Sequence, residues 1–347
     1  MFHLSIHSST VRKEKINMAS FYYSIYGPFI EQYVAMQISL GYKPKERVSV
    51  LAMFDKWILE RDEETVSLSK ELVEEWGVLR MNESEINRYK RIQGVRLFAS
   101  FLCKIGYPSH IADLPRLRST FTPYIFTDKQ ISAFFAACDR LDAFAPNHSA
   151  TIIMPALFRL LYATGLRIGE ALALTCNEVS LKDNYLVVRN GKNGMDRAVP
   201  FPASLARVLS QYLAVRRTYS EPAYNPSDHF FLRPDGRIYT VPAIYRWFRK
   251  ILYRAGISHG GIGIGPRIHD FRHTFACHSL AQMTRSGLDL YYSLPILSTY
   301  LGHRSLSATD GYIRLTAQMY PDLTVRVENL APNLFSNLLN DTDHETN

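Results

Sequence analysis

This chain has no segment suited to crossing a bilayer. Its most apolar stretch, Thr151 to Leu166, is interrupted by Pro155 and Arg159 and is shorter than the roughly 20 apolar residues that a spanning helix needs. Met1 to Ser20 is polar and basic and lacks the apolar centre of a secretory signal. Cysteine is scarce: Cys103, Cys138, Cys176 and Cys277 stand far apart with no C-x-x-C spacing, so buried, reduced thiols are expected rather than disulfides or a zinc site. There is no Gly-rich phosphate loop, no acidic cluster for a metal, no internal repeat and no low-complexity tract. The nearest approach to a metal motif is His269 and His273, spaced i, i+4. It lacks the Glu of H-E-x-x-H, and Arg272 beside His273 would oppose a zinc ion. These absences predict a protein that is cytoplasmic or, in a eukaryote, nuclear, with no membrane partner, no cofactor and no metal. Acidic residues are also in deficit, 32 against 40 Lys and Arg, which leaves a net charge of +8. A polyanionic partner suits that balance, although many soluble proteins carry as much charge.

The 347 residues are 47% hydrophobic and 21% charged, enough for two domains that each bury a core. The first 110 or so read as helices joined by short polar turns. Phe29, Tyr33, Met36 and Leu40 recur at helical spacing, as do Val50, Met53, Trp57 and Ile58. Asn82 to Glu85 reads as a capping box. In the helix after it, Ile86, Tyr89 and Leu97 share a face, Ile92, Val95 and Phe98 spread further round, and Gly94 threatens continuity. Arg88, Lys90, Arg91 and Arg96 on this helix, with Arg116 and Arg118 beyond it, are candidate phosphate contacts; solvated helix surface is the plainer reading. A Pro-containing, basic stretch starting near His110 predicts a linker over 113–123. Thr127 with Gln130 predicts the start of a new helix, striped by Ile131, Phe134, Phe135 and Cys138. A buried helix over Ile152 to Tyr162 should end near Gly165. Tyr185–Val188 and Arg197–Pro200, separated by Asn-Gly-Lys-Asn-Gly, predict a hairpin, and the chain after Leu205 reads as mostly helical.

Polar residues of one chemical character are spread over the second half. They are Arg167 in Thr-Gly-Leu-Arg-Ile-Gly-Glu, His269 and Arg272 in His-Asp-Phe-Arg-His, His303 in Leu-Gly-His, and Tyr312. Two guanidiniums, two imidazoles and a phenol suffice to attack a phosphodiester without a metal. Singly, each has an ordinary alternative: Arg167 with Glu170 could be a helical ion pair worth a few tenths of a kcal/mol, roughly, and Tyr312 is one of 21 tyrosines.

Together, Ala163 to Leu174, His269 to Phe275 and Leu301 to Tyr312 resemble, in order and spacing, the three signature blocks of the tyrosine recombinase (phage integrase) family. Ala171 stands where the first block usually has Leu, and Phe271 where the second does; Thr309 falls at its expected interval in the third. Lys192, in a Gly-Lys-Asn-Gly turn, falls where the family keeps its catalytic lysine, with Arg197 as an alternative cation nearby. The resemblance covers Phe121 to Arg326 by motif.

The resemblance implies a mainly α (α+β) protein. A helical N-terminal core-binding (SAM-like) DNA-binding domain over 21–112 would precede a mixed α/β catalytic domain over 124–330 with a small antiparallel sheet, the pair forming a C-shaped DNA clamp. It implies site-specific recombination, as integrase, resolvase or transposon recombinase, through a covalent 3′-phosphotyrosyl intermediate. Tyr312 would be the nucleophile, with Arg167, Arg272 and His303 on the phosphate. Lys192 would be the general acid, His269 would assist proton transfer at the tyrosine, and Glu170 would orient a cation. The expected partners are double-stranded DNA and further copies of the chain, a dimer on one site and a tetramer in synapsis, with room for accessory DNA-bending proteins. Nucleoid association would follow. The apolar stripe Leu330, Leu334, Phe335 and Leu338 makes 331–347 either a helix on its own domain or a tail docking onto a neighbouring protomer. The segment before Phe21 reads as too short for a separate arm-type DNA-binding domain. Two alternatives remain at this point, a type IB topoisomerase-like nicking-closing enzyme and a catalytically silent DNA-binding protein on the same scaffold.

Overall fold

The computed structural model describes residues 22–320 except 43, 62, 117–121, 142–147, 192–193, 220–224, 262–264 and 304–306. Arg118, Lys192 and the 331–347 tail therefore lie outside the described residues. The chain forms two compact units, one ending at Phe121 and the other beginning at Thr122, a division inside the expected 113–123 segment.

The first unit contains α1 (Gly27–Ser39), α2 (Lys45–Ile58), α3 (Lys70–Gly77) and α4 (Glu85–Lys104). Its core is rich in rings, with Tyr26, Tyr33, Phe54, Trp76 and Phe98 all buried. Phe54 and Trp76 meet edge-on at 5.1 Å, a favoured aromatic geometry. The buried faces are rotated from those expected. In α1 they are Ile30, Tyr33, Val34 and Gln37, while Leu40 is 64% exposed. In α4, Ile92, Val95 and Phe98 point inward and Ile86 outward. Apolar residues nearly encircle both helices, so spacing alone could not choose the face.

Helix α4 runs unbroken through Gly94 because α2 presses against it: a Cβ there would stand 2.6 Å from Val50 Cγ1. The helix is capped by Ser84, whose side chain accepts from the Asn87 N–H, and not by Asn82. Asn82 has φ +62° and turns the chain, while Glu83 is drawn to Arg91. Of the cysteines, Cys138, Cys176 and Cys277 are buried, whereas Cys103 is exposed, contrary to the expected burial.

The second unit opens with α5 (Asp128–Asp139), where Thr127 and Gln130 form the predicted capping box. Next come α6 (His148–Thr164), α7 (Ile168–Ala173) and an antiparallel sheet in the order β1 (Val179–Ser180), β2 (Tyr185–Val188), β3 (Arg197–Pro200). In the β2–β3 hairpin Val188 pairs with Arg197 and Tyr185 with Pro200. Among the described residues five helices follow: α8 (Ala203–Tyr219), α9 (Val241–Arg254), α10 (Asp270–Arg285), α11 (Leu290–Leu301) and α12 (Ser307–Met319). Helix α10 is the hub. Phe271 is fully buried and meets the rings of Phe126, Phe134, Phe158 and Phe248, which pins the start of the helix.

Gly165 ends α6 at φ +60°, and a Cβ there would lie 2.6 Å from Phe275 Cδ1 on α10. Both the left-handed backbone and the close approach require glycine. Gly165→Ala is expected to destabilise the protein by about 1–3 kcal/mol through overpacking and backbone strain, read as a lower melting temperature. An unchanged melt would mean that α6 and α10 can separate freely.

Candidate active site

The site forms where the N-termini of α7 and α10, the end of α11 and the middle of α12 meet. Arg167 sits at the N-cap of α7, where its backbone N–H and its Nη1 both donate to Glu170, each at 2.9 Å. The same two oxygens of Glu170 also accept from Arg197 of β3, Oε1 from Nη1 at 3.2 Å and Oε2 from Nη2 at 2.9 Å. Arg197 Nε donates to the Tyr300 carbonyl at 3.0 Å. One carboxylate thus ties the hairpin, the α7 start and, through Arg197, the end of α11. Burial alone would raise the Glu170 pKa. The Arg197 hydrogen bonds, the Arg167 N–H and the two guanidinium charges outweigh it and bring it down to about 2.

Arg272 is 1% exposed. Its Nη1 donates to the Gly165 carbonyl and its Nη2 to the Leu301 carbonyl, each at 2.8 Å. Burial and the neighbouring Arg167 lower its pKa to about 10, which leaves it cationic at neutral pH. The Tyr312 ring, 5% exposed, stacks near-parallel to His303, with centroids 6.2 Å apart and planes at 17°. His303 Nδ1 shares a hydrogen bond with Thr309 Oγ1 at 2.9 Å. The phenol oxygen shares one with His273 Nδ1 at 3.0 Å, and His269 packs edge-on against His273, with centroids 4.8 Å apart. Burial raises the Tyr312 pKa, opposed by the Arg272 and Arg167 charges.

His269, His273 and His303 are all lowered to about 4, first by burial and then by neighbouring cations, so all three are neutral at pH 7. Between pH 6.5 and 4 the unfolded chain binds protons that these folded histidines refuse. Stability is therefore full above pH 6.5 and falls as the pH drops toward 4; Glu170 adds a further loss as the pH falls from 4.5 toward 2. A decrease of about 2–4 kcal/mol between pH 7.5 and pH 5, mostly from the better-buried His269 and His273, is expected in urea unfolding. A flat profile would contradict the depressed values.

The sequence pattern of the phage integrase family matches residues 125–319, more than half of the chain. The chain belongs to the phage integrase family. Among the proteins it resembles is y4rB of Sinorhizobium fredii, an integrase/recombinase candidate, 28% identical over 306 residues that span 86% of this chain and 96% of that protein. The tyrosine recombinase XerA of Pyrococcus furiosus is 33% identical over 175 residues, 50% of this chain and 54% of that one. A crystal structure of the XerH site-specific recombinase bound to palindromic difH substrate shares the fold, with a TM-score of 0.60, 19% identity, and coverage of 84% of this chain and 79% of that chain. This phage integrase family member is a tyrosine-type site-specific recombinase.

Of the residues singled out from the recombinase sequence, Arg167, Arg272, His303 and Tyr312 come together in one site, with Glu170 behind Arg167. Lys192 lies outside the described residues, between β2 and β3 in sequence. His269 reaches the ring of His273, and it is His273 that bonds the phenol. Arg197, considered only as a substitute for Lys192, is instead a buried-side partner of Glu170. Its position opening β3 was the one available sign, since that places it beside the strand ends rather than at the hairpin tip.

The candidate DNA contacts divide. Arg91 needs correcting: it is 2% exposed, and it donates to Glu83 at 2.8 and 2.7 Å and to the Trp76 and Val78 carbonyls. Those bonds make it an internal strut between α3 and α4. Arg88 donates to the Gly77 carbonyl at 2.8 Å and Arg96 to the Ala112 carbonyl at 2.6 Å, so both also brace the unit. Lys90, 3.4 Å from Glu46, keeps an exposed side chain, and Arg116 is exposed. Among the described residues no helix is long and apolar enough to cross a membrane.

Proposed function

We propose that this recombinase cuts a DNA strand by attack of the Tyr312 phenol on a scissile phosphorus, holds the end as a 3′-phosphotyrosyl ester, and rejoins when a 5′-hydroxyl displaces the tyrosine. The convergence of Arg167, Arg272 and His303 on the buried Tyr312 carries this reading. Charge builds on the non-bridging oxygens in the transition state, and guanidiniums present planar forks of donors to them. A unit-charge pair at about 4 Å is worth roughly 4 kcal/mol at an effective dielectric of about 20. Two arginines can thus supply much of what a metal would. His303, with Nδ1 held by Thr309, has its other ring nitrogen for the same phosphate. Lys192 would protonate the leaving 5′-oxygen, and Glu170 would align Arg167 with the hairpin through Arg197. Ester exchange conserves the bond energy, so joining requires no nucleotide.

Double-stranded DNA is the partner, with two copies of the chain on one site and four in synapsis, and the 331–347 tail is the segment proposed to link protomers. A topoisomerase-like enzyme would relax supercoils as a monomer, and a silent binding protein would have no need of Arg167, Arg272 and His303 gathered at Tyr312. The test is to incubate the protein with DNA flanking its gene, digest the denatured complex and sequence the peptide attached to DNA. A nucleotide on Tyr312 is expected; attachment elsewhere, or none, defeats the proposal.

A further inference from the structure

Three imidazoles cluster at Tyr312, two against its ring and the third against His273, and they are not equivalent. His303 lies along the face of the Tyr312 ring and has its Nδ1 engaged by Thr309. His269 lies edge-on to His273. His273 follows Arg272 by one residue in α10, so the helix directs the two side chains about 100° apart and both reach Tyr312 from different sides. His273 Nδ1 is 3.0 Å from the Tyr312 oxygen, with its ring tilted 52° to the phenol.

Among the described residues the Arg272 guanidinium also faces that oxygen. A guanidinium has only donors, so the phenol must accept on that side and send its single hydrogen elsewhere. Among the described residues His273 Nδ1 is the acceptor within hydrogen-bond distance. This assigns the tautomer: Nδ1 bare and the ring hydrogen on Nε2. Burial, together with Arg267 and Arg272, keeps the imidazole neutral at pH 7, the form able to take a proton.

We infer that His273, rather than His269, receives the Tyr312 proton during strand cleavage, an inference that rests on Tyr312 being the nucleophile. As the bond from the phenol oxygen to phosphorus forms, the phenol hydrogen passes to His273 Nδ1. The bond from phosphorus to the 5′-oxygen breaks, and that oxygen takes a proton from the general acid proposed above. On rejoining, the 5′-hydroxyl attacks phosphorus, its proton returns to the acid, and the imidazolium gives its proton back to the departing phenol. The negative phosphate arriving between Arg167 and Arg272 offsets the cations that depress the basicity of His273, so the base strengthens when substrate is in place.

The experiment compares wild type with His273→Asn, whose amide oxygen can occupy the place of Nδ1 and accept a hydrogen bond but cannot hold a proton at neutral pH. The substrates are duplexes carrying the mapped cleavage position with either the normal 5′-oxygen or a bridging 5′-sulfur leaving group. Sulfur departs without an acid but still requires activation of the tyrosine. Single-turnover adduct formation by His273→Asn is expected to fall about 10²–10³-fold on both substrates, with non-covalent DNA affinity unchanged. If His273→Asn loses binding as well, the same comparison is made with His273→Gln. A wild-type rate in the variant, or recovery of the rate with sulfur, overturns the inference while leaving Tyr312 in place. A wild-type adduct on any residue other than Tyr312 overturns the functional reading itself.

Discussion

Tyr312→Phe is expected to bind duplex DNA with near wild-type affinity and to form no covalent adduct. The substitution removes one oxygen from a ring that is 5% exposed and stacked beside His303, so the packing that holds α12 on α10 should survive. What is lost is the proposed nucleophile and the hydrogen bond to His273, and the unpaired imidazole nitrogen costs about 1 kcal/mol. If DNA affinity rests mainly on phosphate contacts, as the proposal has it, it should fall steeply with salt in both proteins. Gel shifts would report binding, and denaturing gels with labelled DNA would report the adduct. A surviving adduct in Tyr312→Phe would show that another side chain attacks.

Arg272→Lys is expected to fold and bind DNA but to cleave about 10²–10³-fold more slowly, the effect of losing oriented donors from a charge-stabilising site. Arg272 performs three tasks with one planar group: it bonds the Gly165 carbonyl, bonds the Leu301 carbonyl and stands beside the Tyr312 oxygen. A lysine ammonium keeps the charge but cannot span two carbonyls 107 and 29 residues away in sequence and still face a phosphate. Arg272→Ala should be worse in a different way. It leaves both carbonyls without their donor, each costing about 1–3 kcal/mol, so a lowered melting temperature should accompany lost cleavage. Thermal melts beside single-turnover cleavage separate the two. Equal cleavage by Arg272→Lys and wild type would show that charge alone suffices and that the fork geometry is incidental.

Much of the site was legible because its residues sit in short local motifs. The turn after Gly165 places Arg167 at a helix start, and the turn before α10 places His269 and Arg272 one helical turn apart. The hairpin strands were legible for the same reason, since Asn-Gly pairs and β-branched runs act over a few residues. Side-chain partnerships between distant segments were not. Arg91 read as a surface cation because nothing local shows Glu83 and the end of α3 closing over it. Arg197 read as a spare catalytic cation because its partner Glu170 is 27 residues away in sequence. The inward faces of α1 and α4 were ambiguous for a simpler reason, namely that apolar residues occupy more than one face of each.

By itself the sequence determined the kind of chemistry, because the types, order and spacing of Arg167, His269, Arg272, His303 and Tyr312 are properties of the linear chain. It also determined most of the helices and the sheet, which follow from caps, turns and periodicity. Only the tertiary structure decided which imidazole bonds the phenol. His269 and His273 lie on adjacent turns of one helix, and a difference of one turn, about 5.4 Å, separates contact with Tyr312 from contact with its neighbour. That choice depends on where α12 packs against α10, and packing across elements is set by the whole core rather than by any local run of residues.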